Sequence, residues 1–158
     1  MHDAHLSAAP GAGTESALAS MVEFVFVHSY ASKARNWRAV MIGDGRRAGR
    51  VETAKRLAGA LSVPLVADDR HDAGNHDLFA REGIENISTA LRTQDEVRAA
   101  LDRSHTGAVL FVSSPDHLPR VVRDVLAAGG TRAMFASSEI PFSEGGAAAV
   151  DVHEPPHG

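Results

Sequence analysis

The sequence predicts a single α/β domain, a three-layer sandwich on a mainly parallel sheet, and three observations carry that reading. The chain has 158 residues, about one domain's worth. From Val22 onward, short β-branched and apolar runs alternate with stretches of helical period. The run AVLFV at 108–112 is continuously apolar between Gly107 and Ser113-Ser114-Pro115, as expected of a strand buried on both faces.

Taken in order, residues 1–20 are rich in Ala, Ser, Gly and Pro, with little apolar bulk to offset the entropy of ordering, and read as a disordered tail. A single domain follows over 21–152, and 153–158 reads as a flexible end; Met21 is a conceivable later translation start. VEFVFVH at 22–28 reads as a strand that could sit at an edge, and RAVMIG at 38–43 as a strand closing on Gly43-Asp44-Gly45. Val51, Ala54, Leu57, Ala58 and Leu61 fall at helical spacing, so 51–61 reads as a helix with one face on the sheet. VPLVA at 63–67 is the next strand and runs into the polar stretch Asp68 to Asp72, read as a solvated acidic loop; GIENIS at 83–88 is a short strand. Thr93 and Glu96 fit a capping box at the head of a helix over about 94–103. After the central strand, Leu118, Val121, Val122, Val125 and Leu126 form a helical stripe ending at Gly129-Gly130, with Asp116 as N-cap and Pro119 in the first turn. RAMFAS at 132–137 is the last clear strand, and AAAVDV at 147–152 is read as one more.

Composition narrows the chemistry. Lys and Arg number 16 against 20 Asp and Glu, a net charge of −4, which lacks the electrostatic footprint of a nucleic-acid binder. With no cysteine, thiolate metal sites, iron–sulfur clusters and cysteine nucleophiles are excluded. No apolar run approaches the roughly 20 residues that span a bilayer, and MHDAHLSAAPGAG lacks the basic and apolar regions of a leader, so a soluble, cytoplasmic protein is expected.

Ligands of open parallel sheets sit beyond the carboxyl ends of the strands, where the strand order reverses. That rule selects the glycine–arginine cluster Gly43, Asp44, Gly45, Arg46 and Arg50, where glycines admit a ligand to the backbone and cations suit an anion. It is neither GxGxxG nor GxxxxGK[ST]. The rule also selects Asp68 to Asp72, Ser137-Ser138-Glu139, and Ser113, Ser114, His117 and Arg120 after the central strand; His117 is the candidate general acid or base, and Arg120, one turn on, the candidate charge stabiliser. V-S-S-P-D is not the G-x-S-x-G of a hydrolase elbow. The acids and histidines of 68–77 show no fixed metal-ligand spacing, and no metal site is assigned.

Read together, these clusters resemble the DUF218 family of YdcF, SanA and ElyC proteins. VMIGDG at 40–45 is similar to the family's strand ending in L-G-G, with Arg50 as the helix-opening Arg. LRTQDEV at 91–97 resembles the N-T-x-E-N-like segment through Thr93 and Glu96, and FVSSPDHLPRVV at 111–122 resembles V-T-S-x-x-H-x-x-R-A through Ser113 or Ser114, His117 and Arg120. The resemblance covers about residues 38–137, and its most specific part is S-x-x-H-x-x-R. Arg92 stands where the family has Asn, and Ala67-Asp68-Asp69 where Ser-Gly-Gly is usual. The resemblance to the soluble YdcF branch implies a Rossmann-like fold and a nucleotide-type ligand such as S-adenosylmethionine, with no established reaction. The expectation is a protein that binds a nucleotide-like or phosphorylated small molecule at the carboxyl edge of its sheet. Its alternatives are a hydrolase or transferase acting on a phosphorylated metabolite, with a divalent metal at Asp44, Asp68 or Asp69, and a non-catalytic recognition module.

Overall fold

The computed structural model describes residues 21–145. They form five strands and five helices: β1 (Val22–Val27), α1 (Trp37–Met41), α2 (Arg50–Leu61), β2 (Leu65–Ala67), α3 (Ala73–Arg81), β3 (Glu85–Asn86), α4 (Thr93–Arg103), β4 (Ala108–Ser113), α5 (Leu118–Ala127) and β5 (Ala133–Ser137). All strand pairs are parallel, in the order β3-β2-β1-β4-β5. The order reverses at the centre: from β1 the chain first builds outward to β2 and β3, then crosses back to β4 and β5.

Side-chain alternation assigns the layers, because successive residues of a strand face opposite sides. Val25 and Val27 of β1 and Leu110 and Val112 of β4 pack with Met41, with Val51, Ala54, Leu57 and Ala58 of α2, and with Leu78 and Phe79 of α3. Phe24, Phe26, Val109 and Phe111 pack on the other face with Val97 and Ala100 of α4 and Val121 and Val125 of α5. The result is the three-layer, Rossmann-like α/β sandwich expected from the alternation of runs. Every residue of β4 is buried.

Several local expectations are corrected. β1 is the middle strand, paired with β2 on one side and β4 on the other. Residues 38–43 are no strand: Trp37–Met41 make one helical turn that buries Val40 and Met41, and only Gly43 bridges back to Ala48. A short apolar run such as Ala39–Ile42 fits either period, and here the turn lets α1 cover the sheet beside α2. The capping box is displaced, since α4 takes Arg92 as N-cap and Thr93 as its first residue. The N-cap of α5 is His117, not Asp116, whose carboxylate accepts the backbone N–H groups of Phe142 and Ser143 instead. Leu126 leaves the apolar stripe and is 69% exposed, while Asp124 is buried. The strand expected at 147–152 lies outside the described residues, as do the tails at 1–20 and 153–158. Among the described residues, no helix is long and apolar enough to cross a membrane.

Candidate functional site

Because β1 and β4 are neighbours whose chains leave in opposite directions, the loops after them diverge and leave a crevice at the carboxyl edge. A cavity of about 530 Å³ occupies it. Ser29, Tyr30 and Lys33 line it from the loop after β1, Arg70, Asp72 and Asn75 from the segment after β2, and Asp116, His117 and Arg120 from the segment after β4. Arg50 from the head of α2, Leu91 and Phe142 complete the wall.

His117 sits where β4 passes into α5 and is 7% exposed. Both ring nitrogens meet hydroxyls: Nδ1 lies 2.8 Å from Ser113 Oγ, and Nε2 lies 3.3 Å from Thr93 Oγ1. A hydroxyl can donate or accept, so this Ser113–His117–Thr93 chain supports either imidazole tautomer and can pass a proton along it. The Phe142 ring stands perpendicular to the imidazole, with centroids 5.9 Å apart.

Arg50 is 1% exposed and bonds across the switch point. Its Nε donates to Ser114 Oγ at 2.8 Å, and its Nη1 donates to the carbonyls of His28 and Ser29 at 3.2 and 2.9 Å. The guanidinium carbon stands 5.5 Å from the centroid of the Tyr30 ring, a cation–π distance. Burial raises the Tyr30 hydroxyl above its ordinary value of 10.0, against the pull of the Arg50 charge and the hydrogen bond with Asn36. Arg50 therefore ties the ends of β1 and β4 together while presenting positive charge to the cavity.

The other half of the glycine–arginine cluster lies elsewhere. Gly43, Asp44, Gly45 and Arg46 are not among the lining residues. Asp44 closes its own turn, accepting the N–H groups of Arg46 and Arg47 at 3.0 and 2.7 Å and the Arg47 guanidinium at 2.9 Å. The backbone donors of Arg47 and Arg46 lower its carboxyl to about 2. Gly49 serves packing: a Cβ there would stand 2.6 Å from the Ile42 carbonyl carbon. Gly43 and Gly49 admit backbone to backbone, whereas Gly45 stands in open space with φ of 90°.

The segment 68–72 is not a solvated acidic loop. Asp68 and Asp69 are buried and satisfied by donors of β3 and the loop that follows it. Burial works to raise the Asp69 carboxyl, but donors from Asn86, the His71 backbone, His76 and Ser88 outweigh it and bring it to about 2. Asp72 caps α3, accepting the N–H groups of Asn75 and Ser32. Among the described residues, no group of three or more His, Asp or Glu is placed to hold a metal ion, and Asp44 sits in a turn apart from Asp68 and Asp69.

Sequence reasoning missed His28, Ser29, Tyr30 and Glu96 as site residues, and set Arg70 aside as part of the loop at 68–72. Glu96 is fully buried: Oε1 lies 3.1 Å from His28 Nδ1, and Oε2 accepts the backbone N–H and hydroxyl of Ser29 at 3.2 and 3.3 Å. The His28 ring stacks on Phe111, and its Nε2 is buried with no hydrogen-bond partner among the described residues. The strand-end rule would have selected His28-Ser29-Tyr30 had β1 been placed at the centre of the sheet.

Fold and cavity together define a Rossmann-like α/β protein with a cation-lined crevice at the switch point of its sheet. Comparison of the chain with protein-family models, with characterised proteins and with solved structures found no match.

Proposed function

We propose that this chain binds an anionic small molecule, phosphorylated or nucleotide-like, in the cavity between the ends of β1 and β4. The observation that carries the reading is the charge of the wall. Lys33, Arg50, Arg70 and Arg120 line it against two carboxylates, Asp72 and Asp116, each of which already accepts two backbone N–H groups. Guanidinium groups at the mouth of a crevice suit phosphate or carboxylate through charge-assisted, often bidentate hydrogen bonds. The DUF218 resemblance supports the same site through His117 and Arg120, and it places S-adenosylmethionine among the ligands to try.

In this reading Arg120 contacts the anion and His117 donates or accepts a hydrogen bond beside it, as general acid or base where the ligand is turned over. Ser113 orients the imidazole, and Ser114 and Arg50 hold the crevice open. Gly43, Asp44, Gly45 and Arg46 have no part in it.

Calorimetric titration with inorganic phosphate, adenosine monophosphate and S-adenosylmethionine tests the proposal. At least one should bind. Arg120→Ala and His117→Ala should each weaken it by roughly 1.5–3 kcal/mol, the scale of a lost hydrogen bond to a charged group. Wild-type protein that binds none of the three, or variants that bind as tightly as wild type, would defeat the reading.

A further inference from the structure

The turn after β2 is acidic in sequence, yet beside Asp72, whose carboxylate is taken up by backbone N–H groups, it turns a cation toward the cavity. Asp68 and Asp69 point inward and fasten the turn. Asp68 accepts the backbone N–H of Arg70 at 2.9 Å and that of Ala90 at 3.0 Å. Asp69 accepts the N–H of His71 at 2.8 Å and the Asn86 amide at 2.8 Å. Held this way, Arg70 and His71 both adopt left-handed backbone conformations, with φ of 54° and 59°. Two consecutive residues with a Cβ in that region are costly, and such strain persists where the surroundings over-determine it, often at binding sites. The Arg70 side chain is 17% exposed and lines the cavity. Its Nη2 and Nε donate to the Leu91 carbonyl at 2.7 and 3.2 Å, and its Nη1 stands 3.9 Å from Glu96 Oε1, so the guanidinium is braced from two sides.

We propose that Arg70 is a ligand-contacting residue of the cavity, presented by a strained turn that Asp68 and Asp69 hold in place, and that it binds the phosphate group of a phosphorylated small molecule. This rests on the anion-binding reading of the cavity and adds a residue and a ligand group to it. The physical logic is pre-organisation: a guanidinium already braced by Leu91 and Glu96 loses little freedom when an anion docks. Glycine at this position would relax the backbone and remove the contact.

Three variants separate strain from binding. Arg70→Ala and Arg70→Gly remove the same guanidinium, and they differ in that only glycine adopts the left-handed conformation without cost. Arg70→Gly should therefore melt about 2–5 °C above Arg70→Ala. Titrated with adenosine monophosphate, both should bind about 10- to 100-fold more weakly than wild type, and Arg70→Lys, which keeps charge but loses the planar fork, should fall between. Equal melting temperatures for the glycine and alanine variants would overturn the strained presentation. Wild-type affinity in both would overturn the ligand contact while leaving the cavity reading intact if Arg120→Ala still weakens binding. A wild-type protein that binds no phosphate-bearing probe would overturn both.

Discussion

Asp69 is a buried acid whose ionised form is held by four neighbours, and its effect on stability has a definite sign. Its carboxyl stands at about 2 in the folded chain, below the ordinary 3.8. A group depressed on folding stabilises the protein above its unfolded value, and that contribution fades as pH falls from about 4 toward 2. Urea titrations between pH 5 and pH 2 should show stability declining in wild type, and Asp69→Asn, already less stable at pH 5, should flatten the decline. Glu96 offers a second case. Because it accepts from His28, the Ser29 backbone and the Ser29 hydroxyl inside the protein, Glu96→Ala strands three buried donors. At about 1 kcal/mol or more for each, it should cost about 3 kcal/mol or more by denaturant titration. Thr93 was legible as a helix-start residue, but its hydroxyl meets His117. A Thr with an acidic residue three positions on is the pattern of a capping box, and nothing local tells whether that acid turns back to the helix end or into the core.

At the scale of elements, β4 was the most legible, because a continuous apolar run between Gly107 and Ser113 has few homes other than the inside of a parallel sheet. Leu110 is fully buried in the layer shared with α2, so Leu110→Ala should cost about 2–5 kcal/mol of unfolding free energy. The heads of helices were less legible. Gly49 is the N-cap of α2 with φ of −82°, so no special backbone conformation calls for glycine there. What calls for it is the backbone of Met41 and Ile42, within 2.7 Å of where a Cβ would lie. Gly49→Ala should lower stability by about 1–3 kcal/mol as an overpacking change, with a matching drop in melting temperature. Sequence reading placed nearby Gly43 beside a ligand, where a Cβ would stand 2.8 Å from the Arg47 carbonyl oxygen, because a glycine that admits a substrate and one that admits another stretch of chain look alike.

For the molecule as a whole, the order β3-β2-β1-β4-β5 places the longest strands, β1 and β4, side by side in the middle and the two-residue β3 at an edge. Native-state hydrogen exchange should therefore rank the sheet amides. Val25–Val27 and Leu110–Val112 should be slowest, approaching the global unfolding free energy, and Glu85–Asn86 the fastest of the strands. Slow exchange at β3 together with fast exchange at β1 would contradict this order. The same order makes the cavity: only where neighbouring strands send their chains in opposite directions does the carboxyl edge open, and there His117 and Arg120 meet Arg50 and Arg70 from three separate segments.

Alternating runs and helical periods determined the fold class, all five strands and the helices α2, α4 and α5, because each depends on side-chain spacing within one short stretch. The strand-end rule determined His117 and Arg120 as site candidates for the same local reason. Strand order was decided only by the tertiary structure, since pairing joins residues far apart in sequence, such as Val27 with Val112, and a six-residue apolar strand reads alike at an edge or in the centre. From that order followed the rest: β1 at the middle brings Ser29 and Tyr30 to the crevice, burial turns Asp68 and Asp69 inward so that Arg70 faces it, and the Gly43–Arg46 turn is left outside. Charge in a sequence is a property of residue type, but whether it reaches a ligand depends on which groups of the distant chain neutralise it first.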